Sequence, residues 1–400
     1  MKKHLILIAF VMGLSCFSHG AVSCTVPGSG IYVVCHTMTG TVHVINGSTA
    51  IAGSSTAFSA TAYIHGTMCI LGGGGVCQQV HTCTSTTACT FETTYTGTTN
   101  TTASFQMAQV CYPAFNSNNT CTFPSNITAG DTLWSLAIID LTTGTSFTYK
   151  DGAGNALTNA AWPAVTGSVT SGTIGVGDTV TQGTTGVTAT VLTPAPTGSQ
   201  ILYLGSFSGR PDATHTWTDG TTSGVYTPSG NNYAGPSPCL AATGGANDNA
   251  WMAYTLSAAS SSTATIVFAN TPTDNVDEIA GVELAAAGGT ISVDTNSLRC
   301  AWSTTSTNAA GTIPLANSTG EWAFFGAYVA GTLTGFASPW TILALDISSG
   351  EGFAFDGPIS ASSVVMGLAP TAQGPGTNAG MAFKFTATAS SNRAVPMMVR

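Results

Sequence analysis

The feature that most constrains this chain is a two-residue alternation that recurs along most of its length. In "STATIVFAN" (262–270), Ala264, Ile266 and Phe268 fall on one face of an extended strand. In "MAFKFTATA" (381–389), Met381, Phe383 and Phe385 share a face and Lys384 takes the other. Val, Thr, Ile, Phe and Tyr alternate with small polar residues, and Gly, Asn, Pro and Asp punctuate the runs. No segment carries the 3.6-residue apolar period of an amphipathic helix. Many short strands separated by turns predict an all-β protein of the sandwich or barrel class. Four hundred residues exceed what one core organises, so two or three units are expected.

The first twenty residues read as an export signal of bacterial type. Lys2 and Lys3 precede a short apolar run, "LILIAFVMGL" (5–14), and Ser18 and Gly20 frame a cut before Ala21. Cys16 and Cys24 offer lipidation as a second reading, without the large aliphatic residue three positions earlier that a lipobox favours. After signal removal no segment is long and apolar enough for a transmembrane helix; "LWSLAIIDL" (133–141) is strand length. The expected location is secreted, periplasmic or cell-surface.

Charge is scarce. Asp and Glu number 17 against 8 Lys and Arg, a formal net charge of −9. With no basic patch, nucleic acid is excluded as an expected partner.

Removing Cys16 with the signal leaves an even set of cysteines, which in an exported chain reads as a disulfide framework. Cys111 and Cys121 are placed to staple a hairpin, and Cys239 with Cys300 would close a long loop. The pairing of Cys24, Cys35, Cys69, Cys77, Cys83 and Cys89 stays open. Zinc ribbons use tighter Cys-x-x-Cys knuckles than "CQQVHTCTSTTAC" (77–89) provides.

The chain divides into a signal (1–20), a Cys-rich β region (21–100), a discontinuous β-sandwich (101–164 and 227–390), an inserted repeat module (165–226) and a tail (391–400). The insertion is marked by "DTVTQGTTGV" (178–187) and its near copy "HTWTDGTTSGV" (215–225). In each copy a Thr-x-Thr strand meets Gly183 or Gly220, which supplies the positive φ of a tight turn. Two such hairpins in tandem can close a small barrel. This motif resembles Gly/Thr repeats of phage virion and secreted bacterial surface proteins, which implies a structural surface module and no chemistry.

The flanking sequence resembles a group of uncharacterised secreted bacterial β-sandwich proteins of jelly-roll or immunoglobulin-like fold. The resemblance rests on "TFPSNITAGDTLW" (122–134), "YKDGAGNALT" (149–158), "VDEIAGVELAAAGGTISVD" (276–294) and "GTIPLANSTGEWAFFGAYVAG" (311–331). Glu283 matches a glutamate on a late strand of that group. The resemblance implies no catalytic residue.

Candidate sites are sparse. No Gly-x-Ser-x-Gly elbow or His-Glu-x-x-His run is present. If Thr39 and Gly40 turn a hairpin, His36 faces His43, and His65 or His81 could complete a metal set. Asp274, Asp277 and Glu278 in "TDNVDE" could offer oxygens to Ca²⁺, although local turn bonding explains such residues without an ion, as it does Asp151 in "DGAGN" (151–155). No cofactor is therefore expected beyond a candidate Ca²⁺, with Zn²⁺ or Cu²⁺ as the ions a histidine pair would take, and no catalytic residue is named. Trp217, Tyr226 and Tyr233 lie in turn-rich sequence and could form a sugar-stacking platform; Trp134, Trp251 and Trp322 read as core. The asparagine sequons of this Thr-rich chain carry no weight in a bacterial protein.

The functional expectation is a non-catalytic binding or adhesion protein with a polysaccharide or cell-surface partner. The alternatives are a secreted carbohydrate-active enzyme using Glu278 or Glu283, and a structural subunit of a filament or phage-like fibre.

Overall fold

The computed structural model describes residues 24–72, 75–112, 120–140, 146–159, 164–175, 177–191, 199–205, 215–230, 239–240, 248–259, 265–271, 275–303, 311–316, 320–329, 331–347, 350–368 and 376–388. Among them every regular element is a strand. No helix among the described residues is long and apolar enough to cross a membrane.

Two sheets face each other at the centre. One orders strands Gly30–Val33, Asn275–Ala287, Thr132–Asp140, Asp248–Thr255 and Thr158–Asn159, with Val110–Cys111 and Cys239–Leu240 attached. The other orders Gly289–Ser303, Gly376–Ala387, Glu321–Val329, Glu351–Ile359 and Thr341–Asp346. Trp134, Leu136, Ile138 and Val282 of the first pack on Phe324, Phe353, Met381 and Phe383 of the second. The Trp134 ring stacks on Phe353 with centroids 4.8 Å apart.

Both sheets are also covered on their outer faces, which explains why their strands read as near-continuous apolar runs. Leu133 and Ala137 point away from Trp134, into a second core with Phe123, Tyr149 and Ile266 under a three-stranded sheet. Phe325 and Ala327 point away from Phe324, into a third core with Trp340, Ile342 and Met366. The Met381 and Phe383 face is buried as expected, but Ala382 on the opposite face is buried too. Lys384 reaches Asp294 at 3.4 Å.

The strands between Cys35 and Ala108 form an eight-stranded sheet around a separate core that includes Val42, Phe58, Met68, Phe91 and Phe105. Among the described residues four disulfides are present: Cys24–Cys35, Cys69–Cys77, Cys83–Cys89 and Cys111–Cys121. Such bonds persist in an oxidising compartment, extracellular or periplasmic. Cys111 and Cys121 bond as the spacing suggests, but the hairpin expectation is corrected. Cys111 lies on a strand paired with Asn275–Ala287 and Cys121 on one paired with Thr265–Thr271, so the bridge links two sheets. The side chains of Cys239 and Cys300 lie outside the described residues.

Strands from Ala164 to Gly230 close a six-stranded barrel in the order Ala164–Ser171, Ser199–Gly205, Thr188–Val191, Thr179–Gln182, Trp217–Asp219, Val225–Gly230. The two repeat copies lie side by side, with Val180 opposite Asp219, Thr181 opposite Thr218 and Gln182 opposite Trp217. The turn expectation is corrected. Positive φ falls on Thr184 (67°) and Gly186 (68°) in the first copy and on Ser223 (58°) in the second, not on Gly183 or Gly220. Side chains hold both turns: Thr185 Oγ1 donates to Gln182 Oε1 at 2.9 Å, and Thr221 N donates to Asp219 Oδ1 at 2.9 Å. Bonds from the Thr222 hydroxyl and the Thr221 N–H hold the Asp219 carboxyl below the usual range.

Candidate functional site

A polar cluster fills the junction between the Cys-rich unit and the edge of the second central sheet. The edge strand Thr341–Asp346 would expose unpaired backbone groups, and the Cys-rich unit covers them. Thr67 Oγ1 donates to Leu343 O at 2.9 Å, and Leu345 N approaches His65 O at 3.4 Å. His65 adopts φ 57°, unusual for a non-glycine residue. Its N–H bonds Val80 O at 2.6 Å, which fixes the imidazole over the edge.

Both ring nitrogens of His65 meet carboxylates. Nδ1 lies 2.8 Å from Glu92 Oε1 and 3.2 Å from Leu345 O, and Nε2 lies 3.4 Å from Asp346 Oδ2. His81 Nδ1 reaches the same Glu92 Oε1 at 3.1 Å. The side chains of His65, Glu92 and Asp346 are 5%, 7% and 5% exposed, while that of His81 is 47% exposed, so the cluster opens to solvent on one side. Tyr112 packs edge-on against His65, centroids 5.8 Å apart, and donates to Glu351 Oε2 at 2.9 Å. The His65 imidazole, set between Glu92 of its own unit and Asp346 of the central sheet, could hold the units together, or three of these groups could take a cation.

A second carboxyl pair lies under the "SNITAGD" loop. Glu283 is fully buried; Thr128 N donates to its Oε1 at 2.7 Å and Gln109 Nε2 to its Oε2 at 2.9 Å. Glu283 therefore braces the loop. Asp131, beside it, is pushed up to about 7, first by burial and then by its hydrogen bond and charge contact with Glu283, against a lowering bond from Thr128.

A groove of about 290 Å³ runs between strand Gly30–Val33 and the second central sheet, lined among others by Pro27, Tyr32, Trp322, Phe355 and Pro358. Trp322 is its floor, 5% exposed. A Cβ at Gly30 would stand 2.7 Å from the indole and one at Gly357 would collide with it, so these glycines make room for the ring. Thr25, Ser29 and Thr341 add hydroxyls, and none of the described lining residues is charged.

Several sequence expectations are corrected here. Trp217 and Tyr226 are fully buried in the barrel core, so they offer no face to a sugar. His36 does not face His43. Strand Cys35–Thr37 pairs with Phe105–Ala108, placing His36 opposite Met107, and Thr41–Val44 pairs with Ala50–Ser54, placing His43 opposite Ala52. The hairpin does not form because each of the two strands takes a different neighbour. His65 and His81, named only as supplements, are the histidines that converge, with Glu92, which the sequence reading missed. Asp274 and Tyr233 lie outside the described residues, as do the side chains of Asp277 and Glu278. Those two stand within strand Asn275–Ala287 rather than in a loop. Asp151 holds a turn, its Oδ1 accepting from Ala153 N at 3.0 Å and Asn155 N at 2.8 Å.

No known family, curated protein or solved structure matches this chain.

Proposed function

We propose that the chain is an exported binding protein of the cell surface or extracellular space, and that it grips a neutral polysaccharide in the groove at Tyr32 and Phe355. The observation that carries this reading is the groove's lining. Aromatic and proline faces suit the C–H surfaces of sugars, hydroxyls of the lining suit their hydroxyl groups, and the lack of charge among the described lining residues disfavours an ionic ligand. The disulfides and the scarcity of charged residues accord with an extracellular working place. Tyr32 and Phe355 are partly exposed flanks, whereas Trp322 is floor, so Tyr32 is the side chain to remove. The test is native electrophoresis of the oxidised protein through gels cast with neutral polysaccharides. Retardation by at least one glycan, lost in Tyr32→Ala and kept in a substitution outside the groove, is the expected result. Unchanged migration in every gel refutes the reading.

A further inference from the structure

We infer that His65, His81 and Glu92 form a binding site for one divalent transition-metal ion, zinc by preference, with Asp346 orienting His65. The donor set is two imidazole nitrogens and one carboxylate oxygen, which suits zinc better than the all-oxygen shells of calcium or magnesium. One donor atom from each of His65, His81 and Glu92 lies within 4.8 Å of the other two, and the Nδ1 atoms of both rings converge on Glu92 Oε1. Zinc bonds of about 2.0–2.1 Å in a tetrahedron place donors roughly 3.3 Å apart. Two of the separations here, 2.8 and 3.1 Å, are already slightly shorter. Small side-chain adjustments would open these two separations and bring the third donor pair, within 4.8 Å, into the same range.

The surroundings fit the same assignment. With a metal on Nδ1, the proton of His65 resides on Nε2, which faces Asp346 Oδ2 at 3.4 Å. That is the carboxylate–histidine–metal relay that fixes a ligand's tautomer and ring plane. Disulfides Cys69–Cys77 and Cys83–Cys89 pin both ends of strand Cys77–Ser85, which carries His81. Glu92 follows strand Ala88–Phe91, which pairs with that strand, so the scaffold is rigid. Binding gives up the hydrogen bonds that Glu92 Oε1 shares with the two rings and the contact of His65 Nδ1 with Leu345 O, and it releases the protons on the ligating nitrogens. The partly exposed His81 leaves a fourth position for water.

The test uses the full, oxidised chain prepared without a histidine tag and stripped with a chelator. Titration calorimetry with zinc chloride should show one ion per chain, and Co²⁺ should give the intense visible bands of a tetrahedral site. His81→Ala, which removes a partly exposed side chain and spares the core, should raise the zinc Kd more than ~10-fold. Asp346→Asn should raise it roughly 10–100-fold while keeping the stoichiometry. Circular dichroism of both variants shows whether they remain folded. Absence of zinc binding to the wild-type chain overturns the site, and so does equal affinity in a folded His81→Ala variant. A Kd unchanged by Asp346→Asn overturns the orienting role.

Discussion

Thr181 stands directly opposite Thr218 in the barrel, and the two occupy the same position of the repeated sequence. The pairs on either side obey the same relation. Val180 faces Asp219, the counterpart of Gln182, and Gln182 faces Trp217, the counterpart of Val180. The ladder thus has a local two-fold at Thr181–Thr218, and the repeat is a hairpin used twice and paired with itself. At these paired positions each copy contributes one buried apolar residue, Val180 or Trp217, and one buried turn-holding residue, Gln182 or Asp219.

Because Thr184 carries the positive φ of the first turn, its β-branched side chain is the misfit there. Left-handed backbone costs a non-glycine residue about 1–2 kcal/mol, against roughly 0.5–1 kcal/mol for glycine's extra freedom when unfolded. Thr184→Gly should leave the barrel as stable or slightly more so. Gly186→Val, placing a branched residue at φ 68°, should lower it by about 1–2 kcal/mol. Denaturant titration of both variants checks the contrast.

Trp217 fills the barrel core with Val180, Leu202, Leu204 and Tyr226. Truncation to alanine should cost about 3–5 kcal/mol, as large cavities in cores do. The loss should appear as an early unfolding step in calorimetry, with the polysaccharide retardation of the folded protein retained. Loss of retardation without loss of stability would return Trp217 to the ligand.

Tyr112 Oη donates to Glu351 at the junction of the Cys-rich unit and the central sheets, where both residues are buried. Tyr112→Phe keeps the ring against His65 and removes one donor to the glutamate. The expected cost is about 1–3 kcal/mol, since a buried acceptor loses a bond. A change below the error of the denaturant curve would show that the remaining contacts of Glu351 suffice.

The all-β class was legible because alternation and turn residues act locally. The fate of single residues was less so. His36 and His43 are close in sequence with a plausible turn between them, yet each strand pairs elsewhere, and strand pairing is decided by burial across the whole sheet. The convergence of His65, His81, Glu92 and Asp346 joins positions up to 281 residues apart, a span that no local pattern encodes. A polar residue such as Glu92, directly after a strand of alternating burial and itself almost fully buried, could have been flagged only after the fold was known. Trp217 misled because a turn follows it closely. Its own strand, "WTD", buries the first and third residues, the same alternation that identified longer strands.

Asp131 gives the fold a pH dependence. Its carboxyl is raised from the ordinary 3.8 to about 7, chiefly by burial and then by Glu283. A raised acid holds its proton in the folded chain and releases it in the unfolded one over the interval between the two values. Its contribution to stability is therefore complete below about pH 4 and is lost as pH rises through about 7. Protonated, Asp131 can donate to Glu283; ionised, it opposes a second carboxyl in a half-buried site. Asp131→Asn keeps the shape and the donor without the charge. The variant should match the wild type near pH 4, exceed it near pH 8, and show a flatter melting temperature across pH 5–8. Parallel melting curves for the two proteins over that interval would mean that the loop accommodates the ionised Asp131, and that Glu283 alone braces it.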